Sequence, residues 1–277
     1  MTRILLITNA DDFGLTPEVN QAVARAFDGG LVRSASLLAG ADCAADAAAI
    51  AAVRPGLGVG VHLALTQVKP ILPPERIPGL TGDTGAFPAG PRQFVTRLMS
   101  GRIHADEIRA EWTAQIERAL ALGVRISHLD GHQHLHVLPG VARIFREVAE
   151  KFGIRAMRLP RLGGPSRSPQ EWLKGLAIQL AQRYARPSLH GLIWPDAFWG
   201  LACSGDLTRA RVLTILQALT PGAHELMTHP ATDHAVMARD HHWGYHWQTE
   251  LEALCDPAAL DLVKTRGITL GNFHDLV

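Results

Sequence analysis

Short apolar runs alternate with amphipathic stretches along the first part of the chain. The apolar runs predict buried strands over 4–8, 35–39 and 57–62, and helical periodicity predicts helices over 17–28 and 42–53. Regular alternation of strand and helix is typical of a parallel sheet flanked by helices. The length of 277 residues suits one α/β barrel. We therefore predict an α/β fold, a (β/α) barrel with parallel strands, in which the whole chain is one domain.

The second part repeats this alternation after a segment rich in proline and glycine. From Gln67 to about Arg102 these residues are too frequent for a regular element, so we predict an insertion, about 67–104, over the active-site face. Beyond it, the pattern predicts helices over 105–122, 139–152, 170–186 and 207–219 and between 247 and 266. It predicts strands over 124–130, 154–159, 225–228 and 268–270, and one near Leu192.

Composition and charge exclude several classes of protein. The formal net charge is +1 without a dense basic run, so nucleic acid is excluded as a partner. The three cysteines are far apart, which indicates neither a disulfide framework nor a cysteine metal clip. The first apolar run is too short for a signal peptide, and no run is long enough to span a membrane. We predict a cytoplasmic protein, leave open peripheral contact with the inner membrane, and take a homodimer as the base-rate expectation.

Carboxylates and imidazoles follow the ends of several predicted strands. Asp11 and Asp12 come after the first strand, and His62 ends the third. The run His-Leu-Asp-Gly-His-Gln-His-Leu-His occupies 128–136. Because loops after the carboxyl ends of parallel strands share one face, we expect these side chains to converge. On an extended stretch, the histidines of the run would all point the same way.

These residue types predict a divalent metal site. Two histidines and one carboxylate leave coordination positions open for water, as in catalytic zinc sites. Water held by such an ion loses a proton near neutral pH, and the ion polarises the carbonyl under attack. A second carboxylate can take that proton, and the Asp11–Asp12 pair contains one to spare. His229, just after the strand at 225–228, is a candidate to return a proton to the leaving group.

Structural interpretations of the same residues stay open. An Asp–Asp pair before a helix is often a solvated cap, and His62 can be a buried histidine with satisfied hydrogen bonds. His229 lies among several other histidines, most of which must be structural or exposed. Arg158 and Arg161 close another predicted strand on the same face. Each either orients Asp11 and keeps it ionised or covers apolar neighbours.

Together these segments resemble the YdjC-like carbohydrate deacetylases. The marks of that family are Ala-Asp-Asp-Phe-Gly, Gly-x-His-x-x-Leu-Thr and His-x-Asp-x-His-x-His-x-His. Here they occupy 10–14, 60–66 and 128–136, and Glu-Leu-Met-x-His-Pro follows at 225–230. The resemblance implies a barrel that is often distorted and a metal-dependent hydrolysis of the N-acetyl group of an amino sugar.

The resemblance also assigns roles to residues. It implies that the metal ligands are Asp12, His62 and His132. It implies that Asp11 is the general base and His229 the general acid. We place Arg158 with these catalytic residues because of its position at a strand end on the same face. Spacing alone does not choose His132 over His134 or His136. Two imidazoles and a carboxylate suit Zn²⁺ by ligand type, and family members are often described with Mg²⁺, so we expect one divalent ion, Zn²⁺ or Mg²⁺.

The second half of the chain resembles the subgroup associated with hopanoid biosynthesis. The residues concerned are Pro-Asp-Ala-Phe-Trp-Gly-Leu at 195–201 and His-Trp-Gly-Tyr-His-Trp at 242–247. This implies an N-acetylglucosaminyl hopanoid as substrate, with a soluble chitooligosaccharide as the alternative. We expect substrate contacts from His134, His136, Phe198 and Trp199. Apolar residues between Trp172 and Leu201 form either a core helix and strand or a surface for lipid.

Two other functions compete with a deacetylase. A phosphoesterase with a histidine metal cluster would need more metal ligands, including a His-x-His near the N-terminus, which is absent from the sequence. A sugar-binding protein on a barrel scaffold would share the ligands but would not need Asp11. The expected partner is in each case a small molecule, and for a deacetylase it is a small glycan or a glycolipid.

Overall fold

The computed structural model describes residues 3–277. This part of the chain contains seven strands and eleven α-helices, joined by 3-10 helices and loops. The strands are β1 (Ile4–Phe13), β2 (Ser34–Leu37), β3 (Gly58–Leu63), β4 (Ile126–Gly131), β5 (Ala197–Trp199), β6 (Gly222–Thr228) and β7 (Ile268–Leu270). The helices are α1 (Pro17–Gly29), α2 (Ala44–Ala52), α3 (Pro78–Thr81), α4 (Pro91–Met99), α5 (Ala105–Ala121), α6 (Val141–Lys151), α7 (Pro169–Ala185), α8 (Arg209–Ala218), α9 (His234–Asp240), α10 (Trp247–Leu254) and α11 (Pro257–Thr265).

Strand β1 lies in the middle of a sheet in which every pair of strands is parallel. The spatial order is β4-β3-β2-β1-β6-β5. Strand β6 pairs with β1 from Ile4 to Ala10. On the opposite edge of β1, β7 pairs with its first residues and β2 with its last. All ten residues of β1 are buried, as expected for a parallel strand that is covered on both faces.

The sheet curls into a half-barrel, which agrees with the predicted distorted (β/α) barrel. Beyond β4 the sheet continues only through two isolated parallel bridges, Leu129–Met157 and Ala156–Ile193. The predicted strands over 154–159 and near Leu192 were therefore wrong as regular elements. Pro160 and Pro195 follow these two bridges, and because proline has no N–H to donate, neither segment extends into a ladder. Strand β5, which we did not predict, forms after Pro195 and pairs with β6.

Apolar faces of the helices pack against the sheet as the periodicity predicts. Helix α1 begins at Pro17, and the Thr16 hydroxyl accepts a hydrogen bond from the Val19 N–H at 3.3 Å. Helix α6 buries Phe145 against Trp112 of α5, with ring centroids 6.0 Å apart. None of the helices within residues 3–277 is long and apolar enough to cross a membrane.

The segment over 67–104 is more ordered than we predicted. It contains the short helix α3 and the nine-residue helix α4, so our expectation that breakers exclude any regular element was wrong. Helix α4 forms because Pro91 occupies its first turn, where proline is tolerated. Buried carboxylates of α5 hold the segment in place. Glu111 accepts hydrogen bonds from the N–H groups of Ile71 and Leu72 at 2.8 and 3.0 Å.

Candidate metal centre and active site

Both carboxylates of the Asp11–Asp12 pair turn toward one side of the sheet. In a regular strand, neighbouring side chains point to opposite faces. Here the register of β1 with β2 shifts between Ala10 and Phe13, and Asp12 has a left-handed backbone with φ of 62°. Aspartate adopts this conformation more readily than most residues. As a result, His62 Nε2 lies 3.6 Å from Asp12 Oδ1 and 4.0 Å from Asp11 Oδ2.

Asp12, His62 and His132 form the candidate metal centre. One ligand atom of each lies within 4.8 Å of the others, and all three residues are buried. His132 Nδ1 is 3.2 Å from Asp12 Oδ1, but the contact is misaligned, so this oxygen has no hydrogen-bond partner among the described residues. A buried, unpartnered carboxylate oxygen that faces two imidazole nitrogens fits a divalent cation.

Neighbouring groups leave one free ring nitrogen on each of these histidines. His62 Nδ1 lies 2.8 Å from Asp130 Oδ1 and donates to it, which leaves Nε2 free on the side of Asp12. His132 Nε2 donates to Gln67 Oε1 at 2.9 Å, which leaves Nδ1 free on the same side. Contacts of this kind fix the tautomer and the ring orientation of metal-binding histidines.

Arg158 is fully buried and binds three carboxylates. Its two terminal nitrogens each lie 2.6 Å from one oxygen of Asp11, Nη1 lies 2.8 Å from Asp130, and Nε lies 2.6 Å from Glu225. The bidentate contact fixes the plane of the Asp11 carboxylate. Arg158 does not line the cavity described below, so its place is that of a positioning residue. Arg161 donates instead to a backbone carbonyl on the surface.

A second group with metal-like spacing competes less well for a cation. It consists of Asp11, His62 and Asp130. Arg158 already binds both carboxylates of this group, and Asp130 already occupies His62 Nδ1. We therefore place the candidate metal centre at Asp12, with Asp130 as the support of a ligand.

Buried charges shift pKa values at this centre in opposite directions. Burial disfavours the charged form of His62, but the charges of Asp130 and Asp11 outweigh burial and raise its pKa to about 9. Burial likewise favours neutral Asp12, but contact with His132 and the charge of His62 lower its pKa below the usual range. The raised pKa of His62 reflects the negative charge of the carboxylates around it, which a bound cation would balance in place of the ring proton.

His229 follows β6 and faces the same space. Its Nε2 lies 3.8 Å from Asp11 Oδ2. The backbone N–H of His229 donates to Glu250 at 2.6 Å, and its ring packs on Tyr245 with centroids 4.9 Å apart. The Nδ1 atom is buried and has no hydrogen-bond partner within residues 3–277. The fold thus holds this imidazole in place beside Asp11.

The histidine run does not continue as an extended strand, so that expectation was wrong. Strand β4 ends at Gly131, and residues 132–137 form a 3-10 helix. Within it, Gln133 and His134 have left-handed backbones with φ of 55° and 58°. A period of two in the sequence cannot reveal such a turn, because it only records which residues are histidine.

The three histidines of this turn therefore have different surroundings. His132 reaches the metal centre, and His134 lines the cavity with its Nδ1 unpartnered among the described residues. His136 lies outside the cavity wall, and its Nε2 donates to the backbone oxygen of Arg158 at 3.1 Å. Burial lowers the pKa of His136 to about 4, so its ring is neutral. The expected substrate contact thus stays a prediction for His134 and has no support from the position of His136.

A cavity of about 310 Å³ opens over the metal centre. The metal centre and its neighbours contribute these side chains to the lining: Asp11, Asp12, His62, His132, His134 and His229. Gln67 and Pro91 of the 67–104 segment also line it, so this segment does lie over the site. The volume is at the lower end of small-molecule pockets, which suits a small glycan better than a polymer.

Phe198 and Trp199 do not line this cavity, so their positions give no support to the expected substrate contacts. Phe198 is buried beneath the centre, 5.5 Å from the Arg158 guanidinium and 6.1 Å from the His134 ring by centroid. The Trp199 indole donates to His224 Nδ1 at 3.2 Å, away from the cavity. The alternating sides of β5 explain this arrangement, because one residue faces the barrel interior and the next faces outward.

Sequence reasoning missed two aromatic residues of the cavity, Trp243 and Tyr245. The Trp243 ring lies 5.9 Å from the His132 ring and 5.8 Å from the Tyr245 ring, by centroid. Tyr245 also accepts a hydrogen bond from the Ser204 hydroxyl at 3.0 Å. Both lie in an irregular segment without periodicity, where no pattern indicates which side chains face inward. The signals in the sequence were aromatic residues beside several histidines and the resemblance of 242–247 to the hopanoid-associated subgroup.

Comparison with known proteins agrees with these motifs. A carbohydrate deacetylase of Mus musculus is 36% identical over 245 residues, 82% of this chain and 78% of its own length. A chitooligosaccharide deacetylase of Enterobacter sp. (strain 638) is 32% identical over 276 residues, 98% of this chain and 99% of its own. A crystal structure from Enterococcus faecalis V583, named for cleavage of cellobiose phosphate, is 27% identical with a TM-score of 0.79, covering 99% of this chain and 98% of its own. The profile of the YdjC-like protein family matches residues 5–265, and the chain belongs to this family.

Proposed function

We propose that the protein is a metal-dependent carbohydrate N-deacetylase that acts on an N-acetylglucosamine-type sugar. The observation that carries this proposal is the position of Asp11. This carboxylate is outside the ligand set, is oriented by Arg158, and lies 4.0 Å from His62 in the same cavity. A protein that only binds sugar has no use for it. The names of the mouse and Enterobacter relatives support the class of reaction.

Asp12, His62 and His132 would hold the divalent ion. Their fit rests on the unpartnered Asp12 oxygen and on the free nitrogen that each imidazole turns toward it. When bound, such an ion supplies a Lewis acid for the acetyl carbonyl and lowers the pKa of water. The imidazoles favour Zn²⁺, whereas Mg²⁺ prefers oxygen ligands, so both ions belong in the experiment.

The other residues of the centre transfer protons. Asp11 takes a proton from the attacking water as the water oxygen bonds to the acetyl carbon. His229 gives a proton to the sugar nitrogen as the C–N bond breaks, so that acetate and a free amine leave. Arg158 keeps the Asp11 carboxylate in one plane, and Tyr245 restricts the His229 ring.

For the substrate we propose an N-acetylglucosaminyl hopanoid, with soluble chitooligosaccharide as the alternative. The small cavity supports a glycan of one or two residues over a polymer. The segments at 195–201 and 242–247 resemble the hopanoid-associated subgroup, and the second of them contributes Trp243 and Tyr245 to the cavity. A sugar with a lipid tail would need an apolar surface next to the cavity, which helix α7 offers.

The test measures acetate release by protein that has been stripped of metal and reloaded with Zn²⁺ or Mg²⁺. We expect release with at least one of the ions, and a higher kcat/KM on a lipid-linked N-acetylglucosaminyl substrate than on diacetylchitobiose. Equal kcat/KM on the two substrates would remove the hopanoid and leave a chitooligosaccharide deacetylase. Phosphate release from a sugar phosphate without any acetate release would favour the phosphoesterase. Sugar binding without turnover would favour a binding protein.

A further inference from the structure

Helix α7 carries its large apolar side chains on the outside of the protein. The exposed fractions are 45% for Trp172, 58% for Leu173, 58% for Leu180 and 77% for Tyr184. At helical spacing these positions share one face. The opposite face packs on the turns at 132–137 and 201–203 and carries the buried polar side chain of Gln182. Surface helices usually have the reverse arrangement, so the exposed face is a candidate contact surface.

The chain around α7 is basic. Between residues 160 and 190, a single acidic residue, Glu171, is outnumbered by Arg161, Arg167, Lys174, Arg183 and Arg186. The whole chain has a net charge of only +1, so positive charge is concentrated here. Arg183 is exposed and lies on the apolar face of α7. Tryptophan, leucine and tyrosine together with arginine are typical of helices that lie on anionic membranes.

The same helix also forms part of the active-site cavity. Residues from its other side that line the cavity are Glu171, Lys174, Gly175 and Ile178. A membrane in contact with the exposed face would therefore lie beside the cavity. A head group that projects from that membrane would be within reach of the candidate metal centre.

We propose that the exposed face of α7 docks the protein on the surface of a membrane that contains anionic lipids. A second copy of the chain fits this face less well. In a symmetric dimer, this face would be buried against a copy of itself, and no acidic residue lies on it to pair with Arg183. A buried cation without a partner opposes association. The proposal concerns binding alone and is independent of the proposed reaction.

Flotation with lipid vesicles tests this proposal without sugar or metal. We expect the protein to float with vesicles of phosphatidylglycerol and phosphatidylcholine in equal parts, and less with phosphatidylcholine alone. The combined variant Leu173→Ser, Leu180→Ser and Tyr184→Ser should reduce the bound fraction roughly tenfold. The matched control changes exposed apolar residues elsewhere, Val53→Ser, Met99→Ser and Leu120→Ser, and should bind as the wild type does.

A second pair of variants tests how positive charge contributes to membrane binding. Arg183→Gln should weaken binding to the anionic vesicles about fivefold, and the exposed Arg76→Gln should leave it unchanged. Absence of wild-type binding to anionic vesicles would overturn the proposal, as would an equal loss in the Val53/Met99/Leu120 control. Dimers in sedimentation velocity that the α7 variant dissociates, without vesicle binding, would assign the face to a second copy. The α7 variant should still deacetylate diacetylchitobiose if the proposed function holds, so the two failures are distinguishable.

Discussion

Arg158 holds both carboxylate oxygens of Asp11 at 2.6 Å and also binds Asp130, which supports His62 through its Nδ1. The proposed base and a proposed metal ligand therefore depend on one buried guanidinium. Arg158, Asp130 and Glu225 are fully buried and Asp11 is 2% exposed, so water cannot readily replace the guanidinium as their partner. The relative positions of Asp11 and His62 are set together rather than one by one.

We predict that Arg158→Met destabilises the protein by about 3–5 kcal/mol, because it leaves buried carboxylates without their partner. Urea unfolding measures the change. The control is Arg76→Met on the surface, which should shift the free energy of unfolding by no more than about 0.5 kcal/mol. Equal stability of the two variants would mean that the buried ion pairs contribute nothing net.

Metal analysis of single variants should distinguish the metal ligands from the neighbouring histidines. His62→Ala and His132→Ala should each lower the affinity for the divalent ion more than about 100-fold, because each removes one of three ligands. The matched control is His134→Ala, which removes a cavity histidine outside the ligand set and should keep one equivalent of metal. Retention of a full equivalent by His132→Ala would move the ligand to a neighbouring histidine.

Asp11→Asn should keep the metal and lose activity. The amide cannot accept a proton from the attacking water, so we expect kcat to fall by about 10²–10⁴-fold. His229→Ala should also keep the metal and lose activity, because the leaving amine loses its proton donor. Asp83→Asn, an exposed carboxylate, serves as the control and should turn over normally. Near-normal acetate release by Asp11→Asn would exclude Asp11 as the base.

Asp130 and Glu225 both touch Arg158, but only Asp130 touches His62. Asp130→Asn should therefore weaken metal affinity about 10–100-fold, as is usual when the support of a ligating histidine is changed. Glu225 contacts Arg158 alone, and burial raises its pKa to about 8. Glu225→Gln should accordingly retain wild-type metal affinity. Equal metal affinity in the two variants would contradict the role given to Asp130.

Trp243→Ala should raise KM for the sugar with little change in kcat. The indole is half-buried in the cavity wall and contacts no acid or base directly, so its loss removes binding surface rather than chemistry. Trp243→Phe keeps an aromatic face and should restore most of the KM. Trp199→Ala, outside the cavity, is the matched control. A fall in kcat at constant KM would place Trp243 in the chemistry.

The sequence predicted which strand ends meet, but not how single residues turn there. Apolar runs before Asp11, His62, Asp130 and His229 were enough to place all four at one edge of a parallel sheet. The choice between neighbouring histidines depends on the left-handed backbone of Gln133 and His134, which no periodicity records. The same limit explains why the predicted extended stretch is correct up to Gly131 and wrong over 132–136.

Buried polar residues inside strands were the second feature that the sequence pattern did not reveal. Glu225 begins the Glu-Leu-Met-x-His-Pro motif and lies in a predicted strand, where a buried carboxylate must find a partner. That partner, Arg158, comes from a segment that forms only an isolated bridge. Because the pairing joins residues 67 positions apart through side chains, only the structure connects them.

The left-handed backbone of Asp12 also restricts how this position can vary. An alanine at position 12 would remove the metal ligand, and it would adopt the left-handed backbone only at a steric cost of about 1 kcal/mol. Asparagine tolerates the same backbone and removes only the charge, so Asp12→Asn separates metal loss from folding loss. Two adjacent residues of one strand are thus constrained in different ways, Asp11 by its buried pairing with Arg158 and Asp12 by its own backbone conformation.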